Sequence, residues 1–374
     1  MIQPLARECF LSFSTSVCSV AARVDPPVGI HRLHAEGAGR MKIGVFGAGS
    51  IGCYLGGMLA AAGDRPVVIG RASMMKRLAA GMTLTHHDGT KRNAAPETFE
   101  FCSSPDSIAD CDAVLVCVKS SATREAAVLL APLLREGAMV VSLQNGVSNS
   151  KALRETISRN PVFAAIVGFN VAQVGTERFH CATEGQIVLE MDSRTAQLAQ
   201  VLTAAGVPAA TSENIEAVQW GKLILNLNNA VNALSGLPLK RQLAQRAYRR
   251  VGATAVREAL AVMKAAGIKP ARIVRAPPWL LPLILDLPDA LFAPIADGVA
   301  RVDENARTSM AEDLERGRMP EIDWLNGEIV SLGRTVNVNT PVNERLVLLV
   351  KAAFAEKKSP QMSGKELLKE TGLA

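Results

Sequence analysis

From residue 41 to about residue 211, short apolar runs alternate with segments whose apolar residues recur at helical spacing. The runs predict strands over 43–46, 66–69, 112–119, 139–143, 161–174 and 185–191, and the spacing predicts helices over 50–62, 74–81 and 193–206. Continuous apolar runs are typical of parallel strands whose two faces are both covered by helices. The pattern therefore predicts an α/β domain over residues 41–211, with a hairpin near Asp88-Gly89.

Beyond residue 212 the pattern becomes helical. Apolar residues at helical spacing predict helices over 215–234, 242–266, 289–316 and 321–333, with a proline-rich connection over 270–288. This pattern indicates an all-helical C-terminal domain over residues 212–374.

Residues 1–40 do not continue either pattern. The uncharged segment 9–22 faintly resembles the apolar part of a signal peptide, although serine and threonine interrupt it. Three interpretations compete: a start assigned too early, with the true start at Met41, a disordered extension, or a targeting peptide. We favour the first two, because the first strand begins two residues after Met41.

Composition narrows the class of protein. The chain has 374 residues, of which 48% are hydrophobic and 4% aromatic, and a formal net charge of +6 without an evident basic run. Few aromatics argue against a stacking platform for nucleic acid, and the scattered positive charge favours an anionic small molecule. Seven cysteines without a C-x-x-C pair predict a reduced, cytoplasmic protein with no structural metal site, and no apolar run is long enough to span a membrane.

A glycine-rich turn follows the first predicted strand. Gly47, Gly49 and Gly52 form the pattern G-x-G-x-x-G, with a strand before it and a helix after it. The first glycine permits a tight turn, the second lets a pyrophosphate approach the backbone, and the third lets the helix pack closely on the strand. The turn therefore predicts a dinucleotide site in a Rossmann-type doubly wound sheet.

Arg71 follows the second predicted strand, where an NAD fingerprint places an acidic residue. A guanidinium group can pair with a 2′-phosphate, so Arg71 favours NADP over NAD. The alternative is a solvated loop arginine.

Polar residues also follow two later strands. Lys119 ends the run 112–119, and Asn145 follows the strand over 139–143. Ligands bind at the carboxyl ends of strands in open α/β sheets, so both residues are candidates for the site. The alternatives are a solvated lysine and a plain Asn-Gly turn.

A polar stripe interrupts the first helix of the second domain. Lys222, Asn226 and Asn229 are spaced i, i+4 and i+7, on one face of an otherwise apolar helix. A buried polar stripe costs stability unless it meets partners, so we interpret it as a site for a substrate with a carboxylate and other oxygen groups. The alternative is a lysine whose head reaches solvent beside capping asparagines.

Ser309 and Glu321 provide the third candidate group. Ser309 lies in a predicted helix, and Glu321 begins the next one after Pro320. A serine, an acid and an inward-facing lysine could form a catalytic group. An acidic residue in a first helical turn is also explained by the helix dipole alone.

Taken together, these separated motifs resemble the ketopantoate reductase (2-dehydropantoate 2-reductase) family over residues 41 to about 360. The motifs are Gly47-Ala-Gly-Ser-Ile-Gly52, the strand ending in Lys119, Gln144-Asn145-Gly146, Trp220-x-Lys222 followed by Asn226, Thr308-Ser309-Met310 followed by Asp313, and Glu321-Ile322-Asp323 followed by Gly327.

The resemblance implies NADPH-dependent reduction of ketopantoate to pantoate, in the route to pantothenate. It implies that Lys222 is the catalytic lysine and proton donor, and that Glu321 is its acidic partner or binds the nicotinamide ribose. The positions implied to hold NADPH are Gly47, Ala48, Gly49, Ser50, Ile51, Gly52, Arg71, Lys119, Asn145 and Glu321. Those implied to bind substrate are Asn145, Lys222, Asn226, Asn229, Asn305 and Ser309.

One position departs from the family pattern. The family usually repeats an asparagine eight residues after the lysine, where this chain has Ala230, and Asn229 or Asn232 is expected to replace it. Two rival functions remain: a reductase of another branched 2-keto acid and a non-catalytic NADP-binding sensor. A homodimer is a hypothesis from the apolar faces of the helical domain.

Overall fold

A computed structural model describes residues 41–272, 276–298 and 306–374, so the predictions for residues 1–40 and Asn305 lie outside the described residues. Its described residues form two compact units. One contains residues 41–144 and 149–215, and the other contains residues 145–148 and those from 216 onward. The short segment 145–148 therefore belongs with the second unit.

The first unit is built from strands and five helices. The strands are β1 (Ile43–Phe46), β2 (Val67–Ile69), β3 (Met82–His86), β4 (Lys91–Ala94), β5 (Glu100–Cys102), β6 (Ala113–Val116), β7 (Met139–Ser142), β8 (Val162–Val167), β9 (Val171–Val174), β10 (Arg178–Cys181), β11 (Ile187–Glu190) and β12 (Ala209–Ser212). The helices among the described residues of this unit are α1 (Ser50–Ala61), α2 (Ala72–Arg77), α3 (Thr123–Leu130), α4 (Asn149–Thr156) and α5 (Ser193–Ala204).

The large sheet has the order β12-β11-β8-β7-β6-β1-β2-β5. Strand β1 runs parallel to both neighbours, with Phe46 opposite Ile69 on β2 and opposite Val116 on β6. The chain moves from β1 to β2 on one side and later returns to β6 on the other. This reversal confirms the doubly wound sheet and places the carboxyl ends of three strands at one edge, where such sheets bind ligands.

A four-stranded sheet, β4-β3-β10-β9, forms the second layer of strands. The predicted hairpin is confirmed, because β3 and β4 pair in antiparallel register around Asp88-Gly89. The single strand predicted over 161–174 is wrong: β8 lies in the large sheet and β9 in the small one. The chain leaves the first sheet at Gly168, whose N–H donates to the Gln186 carbonyl (2.9 Å).

Helix α1 lies in the largest apolar cluster of this unit and packs against strands of both sheets. Tyr54, Leu55, Met58 and Leu59 of α1 are fully buried, as is Val45 of β1. Burying side chains of this size contributes roughly 1.5–3 kcal/mol each, so α1 is fixed over the strand that precedes the glycine turn.

The second unit is helical, as predicted. Its helices are α6 (Ile215–Asn226), α7 (Asn228–Ser235), α8 (Leu239–Leu243), α9 (Arg246–Ala265), α10 (Leu281–Leu285), α11 (Asp289–Gly298), α12 (Ser309–Glu315), α13 (Asn326–Thr335), α14 (Pro341–Ala355) and α15 (Gly364–Glu370). In the three described stretches, no helix is both long and apolar enough to cross a membrane.

Several predicted helix boundaries are wrong. The helix expected over 215–234 is divided at Leu227 into α6 and α7. The helix expected over 289–316 does not continue to residue 316, because Thr308 is extended (φ −75°, ψ 157°) and caps a new helix, α12. Glu321 precedes a single 3₁₀ turn (Ile322–Trp324) instead of beginning an α-helix.

Candidate active site

The glycine turn connects β1 to α1. Gly47 has a φ of +118°, a conformation that L side chains rarely adopt. Its N–H donates to the Ile69 carbonyl (3.1 Å), which joins the turn to the end of β2. A Cβ atom on Gly52 would lie 2.0 Å from the Gly47 carbonyl oxygen, so the helix can start this close to the strand only with glycine there.

Gly49 has a different environment. It is exposed, has an extended backbone and caps α1. The nearest protein atom that a Cβ there would meet is the Cys117 carbonyl oxygen at 4.0 Å, so the fold itself does not require glycine at this position. Ala48, Ser50 and Ile51 complete the turn, and each is partly buried. The turn thus offers open space beside the start of a helix, where N–H groups and the helix dipole attract phosphate.

Arg71 and Lys119 follow strands on either side of β1. Arg71 is exposed and caps α2, two residues after β2. Lys119 is partly buried and precedes a 3₁₀ turn (Ser120–Ala122), three residues after β6. Both residues therefore follow the carboxyl ends of strands that pair with β1.

A buried polar network, which the sequence analysis did not identify, holds the chain after β6 and β7. The Gln144 amide donates to Thr123 Oγ1 (2.7 Å) and its oxygen accepts from the Ser142 hydroxyl (3.1 Å). Thr123 Oγ1 also lies 2.7 Å from Asn149 Oδ1, and the Asn149 amide donates to Ser120 Oγ (3.2 Å). Because Ser120 follows Lys119 directly, the network fixes one end of the segment that carries the lysine.

Lys222 lies in the last two turns of α6 and is partly buried. Its Nζ donates to Asn145 Oδ1 (2.9 Å), so the structure brings together two predicted site residues that are 77 positions apart. Burial lowers the pKa of Lys222 from its ordinary 10.5 to about 8, while the charge of Glu321 acts in the opposite direction. Glu321 is itself buried, with 6% of its surface exposed.

A lysine in this environment is a competent proton donor. A pKa near 8 leaves it mostly protonated at pH 7 but able to release its proton readily. The negative charge of Glu321 stabilises the charged form of the lysine and so limits the decrease in its pKa. The arrangement can therefore hydrogen-bond an oxygen on which negative charge develops and then protonate it.

Segment 145–148 has a second attachment in the same unit. The Ser148 hydroxyl donates to Glu328 at the start of α13. Burial raises the pKa of Glu328, and the hydrogen bonds from Ser148 lower it. The segment that carries Asn145 is thus attached at both ends, by Lys222 and by Glu328.

The asparagines near Lys222 separate into two groups. Asn226 ends α6 and is partly buried, while Asn229 lies in α7 and is buried. Asn228 exchanges hydrogen bonds with the Gln242 side chain (3.1 and 3.3 Å), and Asn232 bonds to Leu237 and Thr308. Asn228 and Asn232, which lie outside the predicted stripe, therefore stabilise the fold. Ala230 is fully buried in the apolar core of the unit.

Ser309 is exposed at the first position of α12. Thr308 caps this helix, since its hydroxyl accepts from the Ala311 N–H (3.5 Å). Met310 and Ala311 are buried, which anchors the helix behind the serine.

Two family models match the chain, "Ketopantoate reductase PanE/ApbA" over residues 43–193 and "Ketopantoate reductase PanE/ApbA C terminal" over residues 214–354. A solved PanE/ApbA family ketopantoate reductase from Ralstonia eutropha JMP134 is 34% identical, with a TM-score of 0.71, and the match covers 85% of this chain and 99% of that one. The chain belongs to the ketopantoate reductase family.

The chain is also similar to a curated relative and to a second solved structure. A 2-dehydropantoate 2-reductase from Halobacterium salinarum is 27% identical over 321 residues, covering 84% of this chain and 99% of the relative. A D-mandelate dehydrogenase, solved with NADH and anilino(oxo)acetate, is 21% identical with a TM-score of 0.71, covering 85% and 99% of the two chains. At that identity the likeness shows a shared fold alone. The members of the ketopantoate reductase family are oxidoreductases. This chain contains both parts of the family's fold, the N-terminal and the C-terminal one.

Proposed function

We propose that this ketopantoate reductase family member reduces 2-dehydropantoate to pantoate with NADPH, a step towards pantothenate. The observation that carries the proposal is the Lys222 ammonium group, held by Asn145 (2.9 Å) and shifted to a pKa of about 8 near Glu321. A protein that only senses a dinucleotide would have no use for a lysine tuned in this way.

The residues present fit a phosphorylated dinucleotide. The open space at Gly49, beside the start of α1, would receive the pyrophosphate. Arg71 would hold the 2′-phosphate that distinguishes NADPH from NADH, and Lys119 would add positive charge. When bound, NADPH supplies the hydride that attacks the keto carbon.

The protein's own contribution is to stabilise charge and deliver a proton. Lys222 would donate a hydrogen bond to the keto oxygen and give up its proton as that oxygen becomes an alkoxide. Asn145 would orient the ammonium group, and Glu321 would keep it protonated between turnovers. Asn226, Asn229 and Ser309 would bind the carboxylate and the hydroxyl group of the substrate.

The test combines a substrate screen with one variant. The purified protein should oxidise NADPH with 2-dehydropantoate more efficiently, in kcat/KM, than with other branched 2-keto acids. Lys222→Ala should lower kcat by about a hundredfold or more while the Kd for NADPH stays unchanged. Lys264→Ala, which removes an exposed lysine at the end of α9 in the same unit, should behave as wild type. Normal turnover by Lys222→Ala would refute the assignment.

A second candidate is a reductase of a different 2-keto acid. Two observations favour keeping it: Ala230 lies in the core, so it offers no polar contact to a substrate hydroxyl, and the fold is also that of a D-mandelate dehydrogenase. The same screen decides between them, because this candidate predicts higher kcat/KM with a keto acid that lacks the hydroxyl group.

A further inference from the structure

We propose that Asn232 is a positioning residue, which fixes Ser309 for binding of the 2-keto acid. The inference rests on the proposed function, because it assumes that Ser309 contacts the substrate. Asn232 itself is fully buried and cannot touch a ligand.

The Asn232 amide connects α7 to the chain that enters α12. Its Oδ1 accepts two hydrogen bonds from Thr308, one from the backbone N–H (3.0 Å) and one from the hydroxyl (3.1 Å). Its Nδ2 donates to the Leu237 carbonyl (2.9 Å). Both lone pairs of the oxygen are therefore used on one residue, which fixes that residue in position and in direction.

Thr308 transmits this constraint to Ser309. It has an extended backbone and caps α12, so it determines where the helix begins. Ser309 follows directly and is exposed, while Met310 on its other side is 2% exposed in the core. The Ser309 backbone is thus held between a hydrogen-bonded cap and a packed side chain, which fixes the position from which its side chain extends.

An apolar residue at position 232 would suit the apolar interior of α7 better than an amide. Such a residue would leave the Thr308 N–H without its acceptor, and an unsatisfied buried donor is costly. Asn228, on the same helix, forms hydrogen bonds with a different partner, the Gln242 side chain of α8. The two asparagines therefore make a matched pair: each is hydrogen-bonded, and only one reaches Thr308.

The test is a double-mutant cycle on steady-state kinetics. Asn232→Ala and Ser309→Ala should each raise KM for 2-dehydropantoate about tenfold, with KM for NADPH unchanged. The double variant should show about the same KM as Ser309→Ala alone, since the two residues act through one contact. Asn228→Ala, the control, should lose stability on heating but keep the wild-type KM.

A second pair of variants covers the case in which Asn232→Ala does not fold. Thr308→Ser retains the hydroxyl that bonds to Asn232 and should keep KM near that of the wild type. Thr308→Ala removes it and should raise KM for the keto acid.

The outcomes separate the two proposals. If Ser309→Ala raises KM but neither Asn232→Ala nor Thr308→Ala does, the positioning role is overturned and the proposed function stands. Additive effects in the double variant would equally overturn it. If the wild-type protein does not reduce 2-dehydropantoate at all, the proposed function fails instead.

Discussion

The ionisation of Lys222 is decided by two opposing effects. Burial favours the neutral amine, and the carboxylate of Glu321 favours the ammonium, with burial the larger effect. The resulting pKa of about 8 lies within the range in which an enzyme can be assayed, so the balance can be measured.

The first prediction concerns the pH dependence of keto acid reduction. The protonated lysine is the active form in the proposed reaction, so kcat/KM should fall as pH rises through about 8. Glu321→Gln removes the charge that raises the lysine pKa, so the falling limb should move to lower pH.

The control for this shift is Glu344→Gln. Glu344 is a partly exposed carboxylate of α14 in the same unit that pairs with Arg334 (3.5 Å), and it does not contribute to the shift in the pKa of Lys222. A limb that moves equally in both variants, or in neither, would contradict the coupling between Lys222 and Glu321.

A second prediction at this scale concerns the choice of cofactor. Arg71→Ala should lower kcat/KM for NADPH about tenfold or more and change that for NADH little, because only NADPH has the 2′-phosphate. Arg77→Ala removes another exposed arginine of α2, one that bonds to the Gly175 carbonyl, and should leave the preference intact. An equal loss with both cofactors would show that Arg71 does not bind the 2′-phosphate.

The β1–turn–α1 element contains glycines that serve different purposes. A Cβ on Gly52 would meet the Gly47 carbonyl at 2.0 Å, whereas one on Gly49 would meet only the Cys117 carbonyl at 4.0 Å. Gly52 is therefore needed by the fold, whereas Gly49 leaves room for a ligand.

The two glycines should therefore respond differently to alanine. Gly52→Ala should lower the free energy of unfolding by about 1–3 kcal/mol, the usual cost of overpacking. Gly49→Ala should leave the melting temperature nearly unchanged and weaken NADPH binding. Thermal unfolding and cofactor titration of both variants measure this, and a Gly49→Ala protein that binds NADPH like wild type would refute a pyrophosphate contact at this glycine.

The sequence predicted this element almost residue by residue, because a buried run, three glycines and a helix are all local signals. Strands β8 and β9 could not be separated in the same way. Both lie within one apolar stretch, and only long-range pairing, of β8 with β7 and β11 and of β9 with β10, assigns them to different sheets. The start of helix α12 at Ser309 was not predicted for a similar reason, since it depends on Asn232, far away in sequence.

The same limit applies to the site. Spacing placed Lys222 and Asn226 on one helix, but it could not show that Asn145 lies 2.9 Å from the lysine. Nor could it show that Asn228 and Asn232 are used by the fold, because an asparagine that binds a ligand and one that binds a neighbouring residue have the same signal in a sequence. The buried network around Gln144 had no recognisable pattern.

On the scale of the whole molecule, the net charge of +6 favours the approach of anionic ligands to the site. A positively charged protein attracts an anionic ligand over distances of about a Debye length, roughly 10 Å at 0.1 M salt. NADPH is a polyanion and the keto acid carries a single charge. The two substrates should therefore differ in how strongly salt affects them.

The last prediction follows from this difference. Raising KCl from about 0.05 M to about 0.5 M should increase KM for NADPH severalfold and KM for the keto acid less, because screening weakens each charged contact. Arg71→Ala should show a shallower dependence for NADPH, since one of the screened contacts is already gone. Sucrose at matched osmolarity should have little effect on either KM. If KM for NADPH did not change with salt, cofactor binding would depend on the neutral backbone of the glycine turn, and the roles proposed for Arg71 and Lys119 would be wrong.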